Sequence, residues 1–312
     1  AVLLSALLTL GCFALTGCSS ADYTVGIIQL VAHPALDQAT QGFKDALTEK
    51  MPDVKFDEQN AAGDAANCVT ITSKFAADGV DLILANATAP LQAAVSATGD
   101  IPILGTSITD YATALGMKEW NGTTGINVSG TSDLAPLDGQ AAIIKELFPD
   151  AKNVGLVYCS AEANSQYQVD TVKAELEKLG YTCELYPFAD SNDAAAVTQT
   201  ACDASDVIYL PTDNTVASNT GIVDNICQPA GVPVVAGEEG IVKGCGVATL
   251  SISYYDLGVT TGKMAAQILT GEADISAMPI AYAEDFTPKY NPVICEALGL
   301  TMPENYVAID ME

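Results

Sequence analysis

From residue 22 onward, short apolar runs rich in β-branched residues alternate with longer stretches whose apolar positions return every three or four residues. Such alternation marks strand–helix units laid around a parallel sheet. The runs predict strands at 24–30, 54–58, 81–85, 101–105, 124–128, 154–158, 182–187, 206–210, 233–236 and 247–252. Helices are expected between them, best defined over 35–50, 165–179 and 255–271. In the first of these, Pro34 stands at the start and Ala39, Phe43 and Leu47 recur at a spacing of four.

The series runs twice. Val25-Gly26-Ile27-Ile28 parallels Val154-Gly155-Leu156-Val157, Asp81-Leu82-Ile83-Leu84 parallels Asp206-Val207-Ile208-Tyr209, and Ile101-Pro102-Ile103-Leu104 parallels Val232-Pro233-Val234-Val235. The expected architecture is therefore α/β, with two similar Rossmann-like lobes, each on a parallel sheet, joined by a hinge. Residues 22–130 form the first lobe, with 255–275 returning to it; 131–254 form the second, with part of 276–312. Gly258 and Gly262 share one face of the returning helix and suit close packing. Crossings between lobes are expected near 129–133, 251–255 and 272–278. Ser132 or Asp133 is expected to cap the helix that opens the second lobe.

Composition narrows the function. The 312 residues carry 39 Asp and Glu against 12 Lys and no Arg, a net charge of −27 that repels a phosphate backbone, so nucleic acid is excluded as a partner. Apolar content of 49% supports a packed core rather than disorder. Residues 1–17 carry no charge and are too short for a comfortable membrane span. They end in Leu15-Thr16-Gly17-Cys18 and resemble a bacterial lipoprotein signal peptide with its lipobox. Residues 1–21 are thus expected to be leader and tether, with Cys18 lipidated and the mature protein held outside the cytoplasmic membrane by lipid alone. No Met or basic stretch precedes the apolar run, so the leader is expected to begin upstream of Ala1.

No metal or cofactor is expected: one His cannot build a zinc site with scattered thiols, and no CxxC occurs. The cysteines at 68, 159, 183, 202, 227, 245 and 295 are odd in number, their pairing is open, and mostly free thiols are expected. An enzyme would need a base, and His33 lies in a helix-entry turn before Pro34. No GxSxG elbow or phosphate loop is present, and the neighbouring Glu238 and Glu239 make a poor carboxylate pair for glycoside hydrolysis. A non-catalytic chain is expected.

Ligands of open parallel sheets bind beyond the carboxyl ends of the strands. Here those loops hold His33; Asn86, Ala87 and Thr88; Thr106, Ser107 and Asp110; Ser160, Glu162 and Asn164; Asp213 and Asn214; and Glu238. Each residue type is also an ordinary helix cap. The first-lobe loops offer hydroxyls, amides and helix N-termini at Thr88 and Ser107 that suit a carboxylate. The second-lobe acids Glu162, Asp213, Glu238 and Glu239 suit an ammonium group, Asp213 foremost. Together they fit an amino acid zwitterion, with Tyr111, Tyr158 and Tyr167 either packing on its side chain or serving as core or rim.

Residues 26–29, 33–37 and 42–43, together with Ala85-Asn86-Ala87-Thr88, Thr106 to Asp110, Ser160 to Ser165, Pro211 to Asn214 and Gly237 to Gly240, resemble the ABC-transporter substrate-binding lipoproteins of the TrpX type. The similarity spans nearly all of 22–310. It implies a type I periplasmic-binding fold and capture of an aromatic amino acid, tryptophan first, by the loops around 86–88, 106–107 and 213–214. It also implies delivery to an ABC permease. A monomer is expected. The alternative on the same scaffold is a carrier or sensor for a sugar, nucleoside or other small metabolite.

Overall fold

A computed structural model describes residues 23–311, so the expected leader and Cys18 lie outside the described residues. The chain first runs through β1 (Thr24–Gln29), α1 (Pro34–Lys50), β2 (Lys55–Asn60), α2 (Ala65–Asp78), β3 (Leu82–Asn86), α3 (Thr88–Ala97), β4 (Ile103–Ile108), α4 (Tyr111–Leu115) and β5 (Val128–Ser132). It continues through α5 (Leu137–Leu147), β6 (Asn153–Cys159), α6 (Ala163–Lys178), β7 (Thr182–Phe188), α7 (Ser191–Ala204), β8 (Val207–Leu210), α8 (Asn214–Ala217), α9 (Thr220–Ala230), β9 (Val234–Ala236), α10 (Glu239–Cys245) and β10 (Ala248–Ser251). It then turns back through α11 (Tyr254–Leu269) and β11 (Ala281–Tyr282), and closes with β12 (Thr287–Tyr290), α12 (Pro292–Ala297) and β13 (Val307–Ala308).

Two sheets result, ordered β11-β5-β4-β3-β1-β2 and β13-β12-β10-β9-β8-β6-β7. Their inner strands follow one scheme, so the segments that match in sequence hold equivalent places: β1 with β6, β3 with β8, and β4 with β9. The pairings are parallel apart from β12 against β10. The repeated residues have repeated work. Asp81 Oδ2 accepts from Thr24 N at 2.7 Å, and Asp206 Oδ2 accepts from Lys152 N and Asn153 N at 2.8 and 2.9 Å. Each aspartate thereby fixes the start of the neighbouring strand. A Cβ on Gly26 would stand 2.7 Å from the Phe75 ring, and one on Gly155 2.5 Å from Ser205 Oγ. Both glycines let the element covering the sheet come close.

Helices cover both faces, which is why these strands read as unbroken apolar runs rather than alternating ones. Val25 and Ile27 face Phe43, Leu47 and Met264, whereas Ile28 turns to Phe75, Ile83 and Leu91. In the second lobe Val154 and Leu156 meet Ile144 and Val169, and Val157 meets Ala201 and Cys227. The seven described cysteines are free and buried within these cores.

Two expectations are corrected. The strand expected at 124–128 is β5, Val128–Ser132. Gly125 is in the left-handed region at φ 70°, and the Thr124 hydroxyl donates to Val128 O, so 124–127 form a turn. The third crossing falls at 283–286 rather than 272–278, because β11 still pairs with β5, and Ser129 Oγ donates to Met278 O at 2.9 Å.

Helix α11 leaves the second sheet and packs along α1. A Cβ on Gly258 would lie 2.0 Å from Ala39 O, one on Gly262 2.5 Å from Phe43 O, and one on Gly42 2.1 Å from Tyr255 O. These are backbone contacts, and no side-chain rotation relieves them. Gly258→Ala is expected to lower stability by about 1–3 kcal/mol in urea unfolding. Gly221→Ala, on open helix surface with nothing within 4 Å, should be neutral or gain about 0.5 kcal/mol.

Candidate functional site

The carboxyl ends of both sheets face one another, and the side chains they present are polar yet buried. His33, Asn86, Thr88, Thr106, Ser107, Thr109 and Asp133 are each 7% exposed or less, as are Asn164, Ser165, Gln168, Asp213 and Glu238. A hydroxyl, amide or carboxyl withdrawn from water costs free energy unless it finds a partner. Most partners here are local. The Asn86 amide donates to Leu36 O at 2.8 Å and Thr40 Oγ1 at 2.9 Å, and the Thr40 hydroxyl donates to Gln29 Oε1 at 2.7 Å. This pins the end of β3 to α1. Thr106 Oγ1, Thr131 Oγ1 and Thr261 Oγ1 form a chain at 3.2 and 2.8 Å that ties β4 and β5 to α11.

The second-lobe acids serve mainly as scaffold. Asp213 Oδ2 accepts from Cys159 N at 2.7 Å and Ser165 Oγ at 2.8 Å, while Oδ1 accepts from Val216 N at 2.9 Å and caps α8. Burial and the nearby Glu162 charge push its carboxyl above the ordinary range. Glu162 accepts from Thr215 N and Oγ1 at 2.9 and 2.8 Å on Oε1, and from Asn214 N and Nδ2 at 3.1 and 2.7 Å on Oε2. Glu238 caps α10 by accepting from Gly240 N and Ile241 N, both at 2.6 Å, and burial pushes it up to about 7. Glu239 pairs with Lys289 at 2.5 Å.

Hydrogen bonds span the junction at two places: His33 Nε2 meets Asn214 Oδ1 at 3.1 Å, and Gln168 Nε2 donates to Thr109 Oγ1 at 3.4 Å. Between two hinge segments, Tyr254 OH donates to Asp133 Oδ2 at 2.9 Å. Beside the first of these bonds lies a cavity of about 500 Å³, lined from one lobe by Ala32, Gly63 and Ala89 and from the other by Glu162, Asp190 and Asn214. A second, of about 300 Å³, is bounded by Gln38, Glu238, Lys243 and Tyr254.

Four buried polar atoms in this layer have no partner: His33 Nδ1, Asn86 Oδ1, Ser107 Oγ and Asp133 Oδ1. Two residues here also hold backbone that L side chains rarely adopt, Ala87 at φ 98° and Ser107 at φ 56°. Strain of this kind costs about 1–3 kcal/mol and collects where a site demands it. Ala87 leads into α3 with no side-chain cap, so the first N–H groups of that helix stay available.

The sequence-expected residues divide accordingly. His33, Asn86, Ala87, Thr88, Thr106, Ser107, Asn164, Asp213, Asn214, Glu162 and Glu238 come together at the junction. Ser107 belongs to β4 and opens no helix, so it offers a hydroxyl rather than a helix N-terminus. Asp110 caps α4 through Thr113 N at 2.7 Å, and Ser160 is an exposed residue whose hydroxyl donates to Phe188 O at 3.0 Å. Tyr111 is buried against Trp120, and Tyr158 lies in the second-lobe core, so neither ring offers itself as a ligand platform. Asp133, expected as a cap, caps nothing: α5 begins after Pro136 without a side-chain bond. Its real place was missed, as were those of Gln168 and Thr109. Gln168 does carry a signal, since it stands one helical turn beyond Asn164.

Residues 24–311 match the family described as ABC transporter substrate binding protein. The chain is 35% identical over 311 residues to a protein named tyrosine-binding protein from Clostridioides difficile, spanning 93% of this chain and 90% of the relative. A Streptococcus pneumoniae ABC domain solved in complex with L-Trp superposes with a TM-score of 0.87 at 35% identity, covering 91% of this chain and 97% of that one. The ligand-free, open structure of a Clostridium difficile substrate-binding protein with adhesive properties superposes at 0.70, with 38% identity over 93% and 100% of the two chains.

Burial of Glu238 gives a pH test. Its carboxyl ordinarily titrates near 4.5 and is pushed up to about 7 in the fold. The stability it contributes is therefore complete below about pH 4.5 and is lost as pH rises through about 7. Glu238→Gln removes that titration. Urea unfolding at about pH 5 and about pH 8 should show the unsubstituted protein losing about 2 kcal/mol more than the variant across the interval.

Proposed function

The chain belongs to the ABC transporter substrate-binding protein family, and from that premise we propose that it captures an aromatic amino acid between its lobes and presents it unchanged to an ABC permease. The observation that carries this reading is the set of unpartnered buried atoms at the junction. Asn86 Oδ1 and Asp133 Oδ1 are acceptors and suit the three N–H donors of an ammonium group. Ser107 Oγ and the first N–H groups of α3 suit a carboxylate, which replaces the arginine clamp this chain lacks. Burial raises the Asp133 carboxyl against the pull of Tyr254 and Thr109, and an ammonium group favours its ionised form where a sugar, which offers hydroxyls alone, does not.

Asp133 takes the part in ammonium recognition that the sequence assigned to Asp213. The Asp213 oxygens accept three bonds from their own lobe, whereas Asp133 spends one oxygen on Tyr254 and keeps the other. The relative named for tyrosine and the structure holding L-Trp support an aromatic side chain. Superposition is better on that complex than on the more identical open structure, which supports a closed arrangement of the lobes. Closure then lays the second-lobe groups Asn164, Gln168 and Asn214 over a ligand held by these first-lobe and hinge groups. The protein works outside the cytoplasmic membrane as a monomer, tethered through lipid on Cys18. Among the described residues no helix is long and apolar enough to cross a membrane.

Residues 22–312 are expected to gain thermal stability with aromatic amino acids and not with sugars or nucleosides, a ligand at about 100 times its Kd adding about 2.7 kcal/mol. A response confined to sugars or nucleosides overturns the reading. Asp133→Asn, which keeps an acceptor for Tyr254 but drops the charge, should weaken amino acid binding by about 2 kcal/mol, or roughly 30-fold, in calorimetry. In cells making the leader-bearing chain, Cys18→Ala should move the protein from the membrane fraction to the soluble one.

A further inference from the structure

His33 is the only histidine in the chain, and its two ring nitrogens have different fates. Asn214 Nδ2 donates to Glu162 Oε2 at 2.7 Å, which turns Asn214 Oδ1 toward the imidazole at 3.1 Å. An amide oxygen only accepts, so Nε2 carries the hydrogen of that bond. Burial lowers the His33 pKa against the opposing pull of Asn214, Asp37 and Glu162, so the ring is neutral near pH 7. Nδ1 is then a lone pair. It is buried in a residue only 7% exposed and has no partner, and the following residue, Pro34, has no N–H to offer it. The cavity of about 500 Å³ reaches the neighbours of this ring rather than the ring itself: its wall passes from Ala32, the preceding residue, in one lobe to Asn214, the bonding partner, in the other.

We infer that His33 Nδ1 sets the side-chain specificity of the site, accepting a hydrogen bond from a donor on the ligand's aromatic ring. A phenol O–H or an indole N–H satisfies it, and a plain phenyl ring leaves a buried lone pair unmet. The inference rests on the aromatic amino acid reading above and refines it: tyrosine and tryptophan are accepted and phenylalanine is refused. The selection needs no charged residue, since leaving a buried acceptor unpaired is itself the penalty. The latch to Asn214 is what makes the selection definite, because it fixes the tautomer and denies Nδ1 a hydrogen of its own.

Two substitutions separate the nitrogens. His33→Gln keeps a donor near the Nε2 position and removes the Nδ1 acceptor; His33→Asn keeps an acceptor near Nδ1 and removes the reach to Asn214. Calorimetry with tyrosine, tryptophan and phenylalanine, on proteins whose melting curves show them folded, reads the outcome. The unsubstituted protein should bind its better donor-bearing ligand at least about 30-fold more tightly than phenylalanine. His33→Gln should cut that ratio to within about threefold. His33→Asn should weaken binding yet hold most of the ratio. Equal binding of phenylalanine by the unsubstituted protein, or an unchanged ratio in His33→Gln, overturns the inference and leaves the ligand class standing. Failure to bind any of the three removes both.

Discussion

A polar group taken out of water must be given a partner, and the junction between the two lobes is where this protein meets that demand most heavily. Carboxylates, amides, hydroxyls and an imidazole are packed there at exposures that elsewhere belong to leucine. Backbone and neighbouring side chains satisfy nearly all of them. Bringing the lobes together withdraws these groups from solvent all at once, so the closed arrangement is favourable to the extent that bonds across the junction replace those to water. In the proposed reading, a zwitterion held in this layer adds to those bonds, and recognition is thereby coupled to closure. The strained backbone at Ala87 and Ser107 belongs to the same economy, since it aims a helix start and a hydroxyl into the layer.

The fold was largely legible because buried parallel strands have little freedom in composition. A strand covered on both faces is apolar throughout, and β1, β3 and β6 announce themselves on that ground. The repeat was legible for a related reason: Gly26 and Gly155, and Asp81 and Asp206, answer the same steric and hydrogen-bonding problems. Strand β5 was misplaced because its sequence, Val-Ser-Gly-Thr-Ser, is polar and reads as a loop. It is buried nonetheless, for Ser129 and Thr131 find partners in segments remote along the chain.

The site was legible as a region and less so as chemistry. Acidic residues that open helices and acidic residues that hold ligands look alike in sequence, and here the caps predominate: Asp64, Asp110, Asp190, Asp213 and Glu238 all accept from backbone N–H groups. Asp133 differs only in three dimensions, where Tyr254 reaches it from beyond the second lobe. The distinction depends on which oxygens are already engaged, and no local pattern encodes that.

Helix α11 is encoded after the second lobe, yet it covers α1 of the first. The groove that receives it, floored by the Ala39 and Phe43 carbonyls against Gly258 and Gly262, stays bare until the last third of the chain arrives. A polypeptide emerging amino end first thus leaves its leading half open until β6 to β10 of the trailing half have been made. Newly made molecules must pass through a stage in which an apolar helix face waits for its cover, and in that interval the leading half is a natural client for a holding chaperone.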